Sequence, residues 1–160
     1  MQFTPKSQYF YHITEKKWPR RKLLKPLANE QINSDNRPEE EPDIARICVS
    51  KYIYGCLSAI PFTYCGSLYI YRTEEKVKAA YVWEVCDSKI TNERWIVKPT
   101  WFIKCCTITR SILDEIKHEI PFSFGCGDSR IRLLKKQKKA SLIMKKVLDR
   151  HEITENVYGY

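Results

Sequence analysis

The stretch Trp95–Ile108 commits this chain to a β-sheet. Trp95-Ile96-Val97 and Thr100–Ile108 are dense in β-branched, aromatic and small apolar residues, the types that pack on a pleated surface. Pro99 stands between them, and a proline has no amide to give to a ladder. The stretch therefore reads as one bent strand or two. Shorter runs of the same kind predict strands over Gln8–Ile13, Ala45–Val49, Ser67–Arg72 and Ala79–Cys86. Helical spacing of Ile53, Leu57 and Ile60 predicts a short helix over Lys51–Ile60, opened by Ser50 as cap and stopped by Pro61. A second short helix is expected over Arg110–His118, and a long one, capped by Asp128, to about His151. Residues 15–44, with four prolines and the acidic run Glu39-Glu40-Glu41, read as mostly irregular.

These elements make an α+β chain: a central, mostly antiparallel bent sheet with short helices and a basic C-terminal helix. With 160 residues it reads as a single domain, a body over 1–127 and a helical tail over 128–160. Hydrophobic content of 43 % is enough for a core without staples. No apolar run approaches the roughly 20 residues that span a bilayer. The first residues lack the apolar centre of a signal peptide, so a cytoplasmic location and no membrane partner are expected. Seven cysteines without a C-x-x-C pair fit reduced, packed thiols better than zinc or disulfides, so no metal is expected.

Charge is concentrated. Between Asp128 and Arg150 lie nine basic and two acidic residues, a net +7 out of +9 for the chain. Arg130, Arg132, Lys135, Lys136, Lys138 and Lys139 form its densest part and suit a polyanion, nucleic acid or an acidic protein. Lysine-rich runs favour phosphate contact over base readout. An apolar side is expected from Ile131, Leu134, Leu142, Ile143, Val147 and Leu148.

Three pieces carry candidate chemistry. In Tyr11-His12-Ile13-Thr14, His12 and Thr14 share a strand face with Phe10. In Ile47–Tyr52, an apolar strand ends in Ser50 and leads to Tyr52 and Tyr54. A carboxylate follows the middle strands: Glu84, the preferred one, on a strand face with Val82 and Cys86, or Glu93 in the loop Ile90–Trp95. His118 and His151 read as single exposed residues.

In this order, His12, then Ser50 and Tyr52, then Glu84 or Glu93, the chain resembles the ADP-ribosyltransferase-like fold in its small phage and bacterial forms, over roughly residues 8–108. The pattern Asp87-x-x-Ile90-Thr91-x-Glu93-x-Trp95 resembles one in small phage proteins with the same opening. The resemblance implies an enzyme that takes NAD and modifies a host macromolecule, encoded by a phage and directed against a host defence. It implies cofactor-binding roles for His12, Thr14, Ser50, Tyr52 and Tyr54, and a catalytic role for Glu84 or Glu93. The chemistry suits those types: cleaving the nicotinamide–ribose bond builds positive charge that a carboxylate stabilises, and tyrosines stack the ring. Val82 and Thr91 stand where arginine-directed members carry a second Glu or Gln. The alternative is a non-catalytic binding or inhibitor protein that grips nucleic acid, a nucleotide signal or a host enzyme through the basic helix. A third reading, an RNA-phosphate-processing relative, needs Arg20, Arg21 and Lys22 to converge on His12.

Overall fold

The computed structural model describes residues 2–28, 44–60, 64–81, 93–122, 127 and 129–155, with Arg130 described for its backbone alone. Seven strands, β1 (Tyr11–Thr14), β2 (Arg21–Leu24), β3 (Ile47–Ser50), β4 (Leu68–Thr73), β5 (Ala80–Tyr81), β6 (Glu93–Ile96) and β7 (Thr100–Ile108), form one sheet in the order β2-β7-β4-β1-β3-β6-β5. Every pairing is antiparallel. Among the described residues three helices accompany it: α1 (Ile53–Leu57), α2 (Arg110–Glu119) and α3 (Arg130–Arg150). The chain is a single α+β domain.

Pro99 separates two strands rather than bending one. β6 and β7 lie four places apart in the sheet. Four strand spacings amount to about 19 Å in a flat sheet, whereas the link from Ile96 to Thr100 reaches at most about 15 Å. The sheet must therefore bend. A second short connection agrees: Leu27, just beyond β2, exchanges two 2.9 Å backbone hydrogen bonds with Arg46, just before β3, also four places away. The result is two half-sheets, β2-β7-β4-β1 and β3-β6-β5, folded toward each other. Phe10, Tyr71 and Phe102 from one half meet Ile47, Val49 and Ile96 from the other in a core that no helix enters.

The opposite face of the larger half-sheet carries the helices. Tyr11, Leu68, Ile70 and Ile108 pack against Ile53 and Leu57 of α1, Ile112, Leu113 and Ile116 of α2, and Ala140, Met144, Val147 and Leu148 of α3. The helical residues recur at three- and four-residue spacing, as an amphipathic helix requires. A bulge between Ile70 and Tyr71 in the β4–β7 ladder lets Cys105 stand outside the register.

Several expectations change. β2 lies inside the stretch read as irregular; Arg-Lys-Leu-Leu has no alternation, and its strand state comes from pairing with β7. β1 begins at Tyr11, because Gln8 leaves the ladder to pair with Val77. α1 is shorter than expected and Ser50 does not cap it: the cap position is Tyr52, with no side-chain cap bond. α3 is capped by Ser129, whose Oγ accepts from Arg132 N at 3.3 Å. Asp128, the acidic run, and the strand expected beyond Tyr81 lie outside the described residues.

Candidate functional site

β1 and β3 meet at one residue pair, Tyr11 with Ser50, whereas β1 and β4 share four. Beyond that pair the strands diverge, and Cys48 presents a carbonyl to the gap. His12 Nδ1 lies 2.8 Å from that oxygen. A carbonyl can only accept, so Nδ1 carries the proton. The half-buried imidazole stacks on Trp18 at 5.8 Å and meets the edge of Phe102 at 6.1 Å. Desolvation by burial pushes its pKa below the usual histidine value and outweighs the backbone hydrogen bond, which acts the other way. His12 is thus a neutral ring that replaces a missing ladder bond. Thr14 Oγ1 accepts from Lys16 N at 3.0 Å and turns the chain toward Trp18. Trp18 is held in turn by Tyr71, whose hydroxyl accepts from Trp18 N and donates to Trp18 O.

Ser50 lies on the other side of the sheet. Directly paired residues share a face and chain neighbours alternate, so Ser50 stands with Tyr11 and away from His12. The pairing of Ser50 with Glu93 places that carboxylate on Ser50's face too. Glu93 is therefore a half-buried strand residue rather than a loop charge, and its Oε1 accepts from Trp95 Nε1 at 3.1 Å. Ser50 Oγ accepts from Tyr52 N at 3.2 Å. The Tyr52 and Tyr54 rings stack on each other, centroids 5.1 Å apart. The structure thus gathers Ser50, Tyr52, Tyr54 and Glu93 but separates them from His12 and Thr14. Glu84 and the segment Asp87–Asn92 lie outside the described residues.

One residue beside this group escaped sequence reasoning. Glu155 Oε1 accepts from Ile53 N at 2.7 Å, supplying the cap that Ser50 does not. Its backbone oxygen lies 3.5 Å from the Tyr11 hydroxyl. Burial raises the pKa of Tyr54, with smaller contributions from Tyr52 and Glu155. Nearby, burial pushes the Cys105 thiol up to about 11 and Cys106 up to about 12, and Cys56 Sγ donates to Tyr11 O. These thiols are protonated packing groups.

α3 divides in two. From Ala140 onward, Ala140, Ser141, Met144, Val147 and Leu148 are buried. Between residues 131 and 139 no side chain is buried. That half carries Arg132, Lys135, Lys136, Lys138 and Lys139, and the helix has no acidic residue before Asp149. The expected apolar side is corrected accordingly: Ile131 is 69 % exposed and Leu142 61 %. A helix N-terminus carries partial positive charge and favours acids in its first turn, yet α3 has none there. At the far end the charges are matched. Arg150 bonds Glu115 and Glu119, and His151 Nε2 lies 2.6 Å from Glu115 Oε2, so His151 is exposed as expected but does not stand alone. The hydrogen bonds from His151 and Arg150 hold the Glu115 carboxyl below its usual range.

No protein-family model, curated protein or solved structure matches this chain.

Proposed function

We propose that this is a non-catalytic binding protein that grips nucleic acid through the N-terminal half of α3. The observation that carries the reading is the division of that helix. The C-terminal half supplies core residues and ends in the ion-paired Arg150, with Lys145 and Lys146 on its outer side; the N-terminal half supplies a denser set of basic side chains and no buried residue. Cations gathered at the positive end of a helix oppose its own dipole, and a polyanion relieves that repulsion. The surroundings of His12 support the same reading, because its Nδ1 and both flanking aromatic contacts are taken up within the fold.

The test is binding of labelled DNA and RNA over a salt series. Affinity is expected to fall steeply as salt rises, since each phosphate neutralised contributes a slope of about −0.9 on duplex DNA. Replacing Lys135, Lys136, Lys138 and Lys139 together by Gln should flatten that slope by several of these increments while thermal melting stays within a few degrees. Binding that ignores salt, or survives the quadruple change, would reject the reading.

A second reading has its own observation: Ser50 and Glu93 sit opposite each other, next to the stacked Tyr52–Tyr54 pair. A carboxylate so placed suits the charge that develops on ribose during NAD cleavage. Nicotinamide release that is abolished by Glu93→Gln or Glu84→Gln would establish this reading.

A further inference from the structure

The edge of the larger half-sheet is a second, independent cluster of cations, and unlike α3 it is interleaved with aromatic rings. β2 is the edge strand. Lys16, Lys17, Arg20, Arg21 and Lys22 lie on it or on its approach, and Lys104 joins them from β7. Three of these cations cover a ring, Arg21 on one face of the edge and Lys22 and Lys104 on the other. Arg21 lies 3.9 Å above the Trp101 centroid, Lys104 5.3 Å from Tyr69 and Lys22 5.9 Å from Trp18. Trp101 is 42 % exposed, the one exposed residue of β7, and leaves a large aromatic surface in solvent. Glu74 takes Arg21 Nε at 2.7 Å and fixes the guanidinium over the indole.

Edge strands carry lysine and arginine to block unwanted pairing. That accounts for charge on β2 itself. It does not account for an exposed tryptophan on the neighbouring strand, for the cations that precede β2, or for Lys104. Cations for phosphates beside ring faces for bases are the pairing that single-stranded nucleic acid selects, because only unstacked bases offer their faces to a protein. The helices pack over the Leu68 and Ile108 end of the sheet, whereas Trp101 lies at the opposite end of β7. The edge is therefore a separate contact from the packed part of α3.

We infer that the β2–β7 edge binds single-stranded nucleic acid, with Trp101 and Arg21 as a stacking platform on one face and Lys16, Lys17 and Arg20 on the approach to β2 as phosphate contacts. This rests on the nucleic-acid reading of α3 and specifies the form of the ligand. The experiment measures anisotropy of labelled oligo-dT of about 12 nucleotides, a length within the range single-strand binding folds cover, against a duplex of equal length. Wild type, Trp101→Ala, the triple Lys16→Gln/Lys17→Gln/Arg20→Gln and the quadruple α3 variant are compared, with a melting curve for each. The expected result is that wild type prefers the single strand and Trp101→Ala weakens it about tenfold, as losing one stacked base does. The triple variant, whose residues are all exposed, should reduce the salt slope without shifting the melt. If Trp101→Ala and the triple variant bind the single strand as wild type does while the quadruple variant fails, the edge proposal is overturned and the α3 reading stands. A preference for duplex also overturns it. No binding by wild type to either probe overturns both.

Discussion

The two halves of α3 are built from one continuous helix and do opposite things. Ala140 to Leu148 lies against α1, α2 and the sheet, with Val147 fully enclosed. Residues 131–139 place nothing in the core and concentrate the chain's positive charge. Hydrogen bonding along the backbone is the same in both halves, so helix formation alone distinguishes nothing. The difference lies in what the side chains meet, and it separates residues that fill the core from residues that stay outside it.

That division can be broken by substitution, and the largest effect belongs to the packed half. Leu148→Ala should cost about 3 kcal/mol in urea unfolding, the usual loss for a buried leucine. A loss under about 1 kcal/mol would mean that the C-terminal half of α3 is not part of the core. His12 tests the same division elsewhere. His12→Ala removes the hydrogen bond to the Cys48 carbonyl and a packed ring, at about 2 kcal/mol. It should also remove a pH effect. Because burial lowers the folded-state pKa below 6.5, the unfolded chain takes the proton first. Stability is then full above 6.5 and declines as the pH falls below it. Melting temperatures at pH 7.5 and 5.5 should differ more in wild type than in His12→Ala.

Arg132 sharpens the comparison from the other side. It occupies the third helical position after the Ser129 cap, where a glutamate completes a capping box and suits the dipole. Arg132→Glu should therefore weaken nucleic-acid binding while improving the charge–dipole balance of α3, and the net change in stability reads what the contacts of Arg132 contribute. A change that lowers both would show that Arg132 serves the fold. The smallest effect is expected for Ile131→Ser: less than about 0.5 kcal/mol, because the side chain is 69 % exposed.

Much of this fold was legible from residue types. Apolar runs marked β3, β4, β6 and β7, and helical spacing marked α2 and α3 to within a residue or two at most ends. β2 was not legible, because Arg-Lys-Leu-Leu becomes a strand only through a neighbour brought from far along the chain. The candidate constellation divides at a particular step. Alternation tells which residues share a face within one strand, yet it is silent about the phase between strands. The Tyr11–Ser50 pairing set that phase, and it sent His12 and Ser50 to opposite sides. Glu155 lay beyond local reading for another reason: it caps a helix that begins about a hundred positions earlier. The basic helix was legible because charge density needs no partner to be seen, although which half is free of the core emerged only from packing.

Where β1 meets β3, the ladder between the half-sheets is one backbone pair wide, beside a single imidazole on the Cys48 carbonyl. The molecule is accordingly a clasp, two plates hinged at Tyr11 and Ser50 and pinned by a ring instead of a ladder. A ladder fails rung by rung and loses strength gradually. Drawing the pin opens the clasp at one point only, because the Leu27–Arg46 pair and the shared core still fasten the two plates.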